Sequence, residues 1–98
     1  MTEIKGGIVI PIQAITDKSL SHADIRVLSS ICSFLNQSNQ CCPSYQEIAK
    51  VCNMDKRNVQ KHIKKLEKNG YLVISPRAFN NNATISNEYS ILYSRDKI

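Results

Sequence analysis

Most of the positive charge of the chain lies in one segment, residues 53–70, which reads NMDKRNVQKHIKKLEKNG. This segment holds six of the thirteen Lys and Arg residues in a chain of 98 residues. Only Asp55 and Glu67 oppose them, so the segment has a net charge of +4, whereas the whole chain has +5. This imbalance indicates an acidic partner, such as a nucleic acid or an anionic membrane surface.

Apolar residues interrupt the cations of this segment at helical spacing. On a helix that turns about 100° per residue, Ile63 and Leu66 fall within about 40° of Val59. The opposite side carries four cations, Arg57, Lys61, Lys64 and Lys68. Gln60 and Lys65 flank this basic face. The pattern predicts one helix with an apolar face in a core and a stripe of cations on the outside.

A Lys-rich helix face can simply be solvated, and two features favour a binding role instead. Exposed helix faces usually mix charges for pairing at i,i+4, and here only Glu67 could do so. The first turn of the helix also holds side chains that reach phosphates and base edges, namely Lys56, Arg57, Asn58 and Gln60.

Three helices are predicted from capping residues and apolar periodicity. Ser21 caps a first helix, whose apolar stripe runs to Leu35 and which ends in the polar stretch NQSNQ. Ser44 and Glu47 form a capping box for a second, short helix from about 43 or 44 to Cys52. Asp55 caps the basic helix, which ends at about 69, before Gly70.

The short second helix and the basic helix are separated by a turn typical of a helix-turn-helix unit. Asn53 tolerates the left-handed conformation that such a turn needs. Ala49 is small enough for a close helix crossing, and Met54 and Val59 can seal the core between the helices. In this unit the second helix lies in the major groove of DNA and the first crosses the backbone.

Extended segments flank the helices. GIVIPI, residues 7–12, is predicted as extended or turn, with Pro11 ending any regular pairing. YLVIS (71–75) and NEYSILY (87–93) predict a β-hairpin around a polar tip, Pro76 to Ala83. The predicted fold is mainly α with a small β-hairpin (α+β): a three-helix core plus a two-stranded wing, in one domain spanning residues 1–98.

The stretch LSHADIRVLSSICSFLNQSNQCCPSYQEIAKVCNMDKRNVQKHIKKLEKNGYLVI, followed by NEYSI, resembles the winged helix-turn-helix domain, and CPSYQEIAKVCNMDKRNVQKHIKKLEKNGYL is its most specific part. The resemblance covers about residues 8–93. It is similar to the form found in phage and plasmid replication initiators and in small bacterial transcriptional regulators. The resemblance implies a recognition helix at about 55–69 and a wing at about 71–93. Two positions depart from the family pattern: Asn53 replaces the usual Gly, and Arg77 is the one cation at the wing tip.

The expected DNA contacts divide by element. In the recognition helix, groove-facing residues are Lys56, Arg57, Asn58, Gln60 and Lys61, while Lys64, Lys65 and Lys68 contact phosphates. Arg57 could pair with a guanine edge and Asn58 or Gln60 with adenine. At the start of the second helix, Ser44, Tyr45 and Gln46 would contact phosphate. His62 is interpreted as a packed residue, and Tyr71, Tyr89 and Tyr93 as wing and core packing.

Other site classes have little support in the sequence. Cys32, Cys41, Cys42 and Cys52 form no metal-ligand spacing, so we expect reduced thiols that pack as small apolar residues. We predict no metal, no cofactor, no small-molecule ligand and no catalytic site. A membrane-surface helix is disfavoured because the narrow apolar face of the basic helix is needed for the core. The N-terminal stretch does not resemble a signal peptide, which favours a cytoplasmic, nucleoid-associated location.

The leading interpretation is sequence-specific binding of duplex DNA. Whether the chain is a transcriptional regulator or a replication-initiation module stays open. A regulator of this size would usually form a homodimer, here through the N-terminal segment and the first helix. The alternative is a winged-helix module that docks on an acidic protein without specific DNA readout.

Overall fold

The computed structural model describes residues 7–78 and 85–93, with the backbone alone for 76–78, 85 and 86. Over these residues there are four helices, α1 (Ile12–Thr16), α2 (His22–Cys32), α3 (Tyr45–Cys52) and α4 (Lys56–Lys68). Three strands accompany them, β1 (Gln40–Cys41), β2 (Leu72–Ala78) and β3 (Ile85–Ile91). The α+β class, the three core helices and the hairpin are confirmed, and α1 and the pairing of β1 are additions.

The additional helix α1 begins at Ile12, the last residue of the segment predicted to be extended. Pro11 precedes it in an extended conformation. Proline is tolerated at a helix start because the first N–H groups of a helix have no acceptor within the helix. Five residues are too few for apolar periodicity to be recognised. The short helix buries Ala14, and the Tyr71 hydroxyl donates to Asp17 Oδ2 at 2.7 Å just beyond its end.

The strands form one antiparallel sheet in the order β1-β3-β2. Cys41 lies opposite Tyr89, and the hairpin register runs from Leu72 opposite Ile91 to Ala78 opposite Ile85. Strand β2 is therefore longer than predicted, since Pro76 to Ala78 belong to it and not to the tip, whereas β3 has the predicted length and lies two residues earlier than predicted. Proline fits there because β2 is an edge strand, where a missing N–H costs no ladder hydrogen bond.

The core lies between the helices and one side of the sheet. Helix α2 packs against both α3 and α4, and α4 contacts β2. The largest fully buried side chains include those of Leu28, Ile31, Ile48, Ile63, Leu66, Tyr71, Leu72 and Tyr89. Tyr71 and Tyr89 are thus packing residues, as predicted.

The cysteines behave as small apolar residues. Cys32, Cys41 and Cys52 are buried, Cys42 is half-buried, and none of the four forms a disulfide bond. Burial is the main cause that raises the pKa of the Cys41 thiol to about 12. A thiol held in its neutral form is a poor nucleophile, so Cys41 serves as a packing residue of the core.

Candidate nucleic-acid interface

The turn between α3 and α4 is built by the local residues that the sequence indicated. The Ser44 hydroxyl accepts from the Glu47 amide, and the Glu47 carboxylate accepts from the Ser44 amide, which completes the capping box. Asn53 adopts the left-handed conformation, with φ 57° and ψ 48°. Asp55 then caps α4 by accepting from the Asn58 amide at 2.8 Å. These four residues fix where each helix ends and the next begins.

Helix α4 divides into a buried side and a cationic side. Val59, Ile63 and Leu66 are buried in the core, as the helical wheel predicts. The opposite side exposes four cations, and a fifth, Lys56, is exposed in the first turn; these five are called here the cation row: Lys56, Arg57, Lys61, Lys64 and Lys68. Within residues 7–78 and 85–93, none of the five has a carboxylate partner. The cation row is therefore open to an anionic ligand.

The polar residues beside the cation row differ in exposure. Asn58 is exposed, and its side-chain nitrogen Nδ2 donates to Asp55 Oδ2 at 3.5 Å. Gln60 is half-buried. Both residues lie in the first two turns of α4, where a side chain that contacts base edges in the groove is expected.

Lys65 differs from the other cations of α4 because, among the described residues, it alone of them has a carboxylate partner. Its ammonium lies 2.7 Å from Oδ2 of Asp24, and His62 Nδ1 lies 2.6 Å from Oδ1 of the same residue. An ionised carboxylate only accepts, so His62 carries its hydrogen on Nδ1. His62 is thus a packed residue with a defined partner on α2.

The charge of Asp24 is maintained inside the protein. Its side chain is 0% exposed. Burial alone would raise the pKa of this carboxyl, but hydrogen bonds from Lys65, the Ser21 backbone amide and His62 outweigh it and lower the pKa to about 2. Asp24 is therefore ionised across the physiological pH range.

The start of α3 presents three polar residues at the surface. Ser44 and Gln46 are exposed, and Tyr45 is half-buried. The Tyr45 hydroxyl accepts from Asn87 Nδ2 at 2.9 Å, which ties the first turn of α3 to strand β3. The Ser44 oxygen is engaged in capping, although its O–H can still donate to an acceptor outside the protein.

The wing contributes less to the described site. Arg77 lies in β2, with its Cα opposite that of Ser86. Its side chain and the asparagines at 80–82 lie outside what the structure describes.

Three residues that position the site were not predicted from the sequence: Asp24, Arg26 and Asn87. Arg26 donates from Nε to the carbonyl oxygen of Cys52, the last residue of α3, at 2.8 Å. For Asp24 the sequence did hold a signal, because it lies three, four and seven residues before the apolar positions Val27, Leu28 and Ile31. A carboxylate in line with a buried stripe must have a partner, although the sequence does not say which.

The part of the chain that the structure describes offers few other binding features. No helix among these residues is both long enough and apolar enough to cross a membrane. The same residues contain no group of three or more His, Cys, Asp and Glu side chains placed to hold a metal ion.

Comparison with known proteins identifies the architecture. A family model described as a helix-turn-helix domain matches residues 18–72, which include α2, α3, α4 and the first residue of β2. No curated protein and no solved structure matches the chain. The family model covers more than half of the chain, and the hairpin after α4 adds the wing. The chain therefore belongs to the helix-turn-helix domain family, in its winged form.

Proposed function

We propose that the protein binds double-stranded DNA in a sequence-specific manner through α4. The observation that carries the proposal is the cation row, which lies on the second helix of a helix-turn-helix unit without acidic partners among the described residues. In such units the second helix enters the major groove. Five exposed cations along one helix match the phosphates that border that groove.

The proposed contacts follow from position along α4. Arg57 would pair with a guanine edge, and Asn58 or Gln60 with adenine, because these residues lie in the first two turns. Lys56 and Lys61 would also face the groove. Lys64 and Lys68, further along, would contact phosphates, as would Ser44, Tyr45 and Gln46 at the start of α3. Arg77 is the proposed contribution of the wing.

The biological role would be that of a transcriptional regulator or a replication-initiation module of a bacterium or mobile element. The proposed role is one of binding without catalysis. With such a role, the protein would lie with the nucleoid in the cytoplasm.

A homodimer is part of the proposal, and the N-terminal segment is its best-supported interface. Residues 8–15 contribute four of the six exposed large apolar side chains among the described residues: Ile8, Val9, Ile12 and Ile15. Val9 and Ile12 are the most exposed, at 71% and 73%. The apolar residues of α2, by contrast, are used in the core. The N-terminal segment with α1, more than α2, would therefore meet a second copy and align two half-sites.

Selection of bound duplexes from a random pool tests the proposed function. A palindromic consensus would support a dimeric regulator, whereas directly repeated copies of a site would support an initiator. Recovery of no enriched sequence would contradict sequence-specific binding. It would favour the alternative, in which the cation row docks on an acidic protein.

A further inference from the structure

Helix α2 contacts both helices of the helix-turn-helix unit through charged side chains. Asp24 reaches α4, where its two oxygens lie 2.6 Å from His62 Nδ1 and 2.7 Å from Lys65 Nζ. Two residues further along, Arg26 reaches the last carbonyl of α3 at 2.8 Å. A cation at that carbonyl also matches the negative end of the α3 dipole. Helix α2 thus holds α4 through Asp24 and α3 through Arg26, and these are the two helices that would contact DNA.

We propose that Asp24 is a positioning residue for the recognition helix, and that Lys65 is its internal anchor instead of a phosphate contact. The inference rests on the proposed function, since it concerns which cations of α4 are available to DNA. Lys64, the neighbouring residue, is exposed and belongs to the cation row, whereas the ammonium of Lys65 contacts Asp24.

The burial of Asp24 is the physical reason that Lys65 stays with it. Removing one partner from a buried ion pair leaves an uncompensated charge away from water, which is strongly unfavourable. If Lys65 turned to a phosphate, Asp24 would lose its one lysine partner among the described residues and keep the hydrogen bonds from His62 and Ser21. By turning to a phosphate, Lys65 Nζ would lose a partner that is shielded from water. It would gain a partner at the surface of DNA, where solvent and salt screen the attraction.

The same contacts restrict how α4 can rotate about its own axis. His62 and Lys65 are three residues apart, so they project from adjacent turns on one side of the helix. Asp24 itself is held by the capping box with Ser21, in which the Asp24 carboxylate accepts from the Ser21 amide at 2.8 Å. Rotation of α4 would break both contacts to α2. The direction of the cation row is accordingly set from α2.

The neighbouring residues Lys64 and Lys65 provide a matched test. Affinity for the selected duplex is measured by fluorescence anisotropy from low to high salt for the wild type, Lys64→Ala and Lys65→Ala. Each phosphate contact contributes about 0.9 to the slope of log K against log salt. We expect Lys64→Ala to reduce the magnitude of the slope by about 1. Lys65→Ala should keep the wild-type slope and change affinity by the same factor at every salt concentration.

A second variant tests the positioning role directly. Asp24→Asn keeps the shape of the side chain but removes its charge, which releases Lys65. We expect the slope to become steeper by about 1 as Lys65 reaches a phosphate, and the double variant Asp24→Asn/Lys65→Ala to return to the wild-type slope. The affinity ratio between selected and scrambled duplexes should also fall in Asp24→Asn, because the recognition helix is less firmly held.

The outcomes separate this inference from the proposed function. A slope reduced equally in Lys64→Ala and Lys65→Ala would overturn the inference while leaving DNA binding intact. A wild-type slope and specificity ratio in Asp24→Asn would also overturn it. Absence of duplex binding by the wild type at low salt would instead contradict the proposed function. Circular dichroism of each variant confirms folding, and if Asp24→Asn fails to fold, the Lys64 and Lys65 pair still decides.

Discussion

At the residue scale, Asp24 illustrates how one buried charge can be kept by its partners. A carboxylate with no exposed surface is costly unless it is paired and hydrogen-bonded. Here Lys65, His62 and the Ser21 amide surround it. Together they favour the ionised form so strongly that the pKa lies near 2 instead of 3.8, the ordinary value.

This pKa difference predicts a pH dependence of stability. Because the pKa of Asp24 is lower in the folded chain than in the unfolded chain, its stabilisation is present above about pH 4 and is lost as the pH falls toward 2. The loss should amount to about 2 kcal/mol between pH 5 and pH 2. Urea unfolding across this range, for the wild type and Asp24→Asn, measures it.

In that comparison Asp24→Asn supplies the control, because it retains every other carboxyl group. The variant should show a shallower decline of unfolding free energy in acid than the wild type. Parallel declines for the two proteins would mean that Asp24 does not contribute the acid sensitivity.

At the element scale, α4 serves as a structural helix on one side and a candidate DNA-binding surface on the other. We expect Ile63→Ala to lower the free energy of unfolding by about 2 to 4 kcal/mol, because Ile63 is fully buried. Lys64→Ala, one residue away on the exposed side, should change it by less than about 0.5 kcal/mol. Urea denaturation of both variants measures these values, and equal effects would contradict the assigned orientation of the helix.

The turn between α3 and α4 gives a second prediction at this scale. Asn53 is in the left-handed conformation, which costs a residue with a Cβ roughly 1 to 2 kcal/mol, Asn less than most. We expect Asn53→Gly to leave stability within about 0.5 kcal/mol of the wild type and Asn53→Val to cost about 1 to 2 kcal/mol. Thermal unfolding checks the order, and a more stable Asn53→Val would contradict it.

An element could be predicted from the sequence when the residues that determine it lie close together in the chain. The caps Ser21, Ser44 and Asp55 act within three residues, so the sequence alone indicates them, and the two sides of α4 follow from periodicity. The pairing of β1 with β3 joins Cys41 to Tyr89, and the partner of Lys65 is Asp24. These contacts connect distant parts of the chain, and no local pattern specifies them.

At the scale of the whole molecule, the net positive charge is concentrated in one segment. Residues 53–70 carry a net charge of +4 out of +5 for the chain, and the fold presents most of these cations on one side of one helix. A concentrated positive surface attracts a polyanion from a distance and orients it on approach. The attraction weakens as salt is added, since DNA releases bound counterions when the protein binds.

The salt dependence of duplex-DNA binding tests the central claim most directly. For a protein that neutralises about five or six phosphates, log K should fall with log salt at a slope of about −5. We predict this slope for the wild type in an anisotropy titration. For Arg57→Ala/Lys61→Ala we predict much weaker binding and a slope shallower by up to about 2. Absence of duplex binding at low salt, or binding unchanged by the double substitution, would contradict the account.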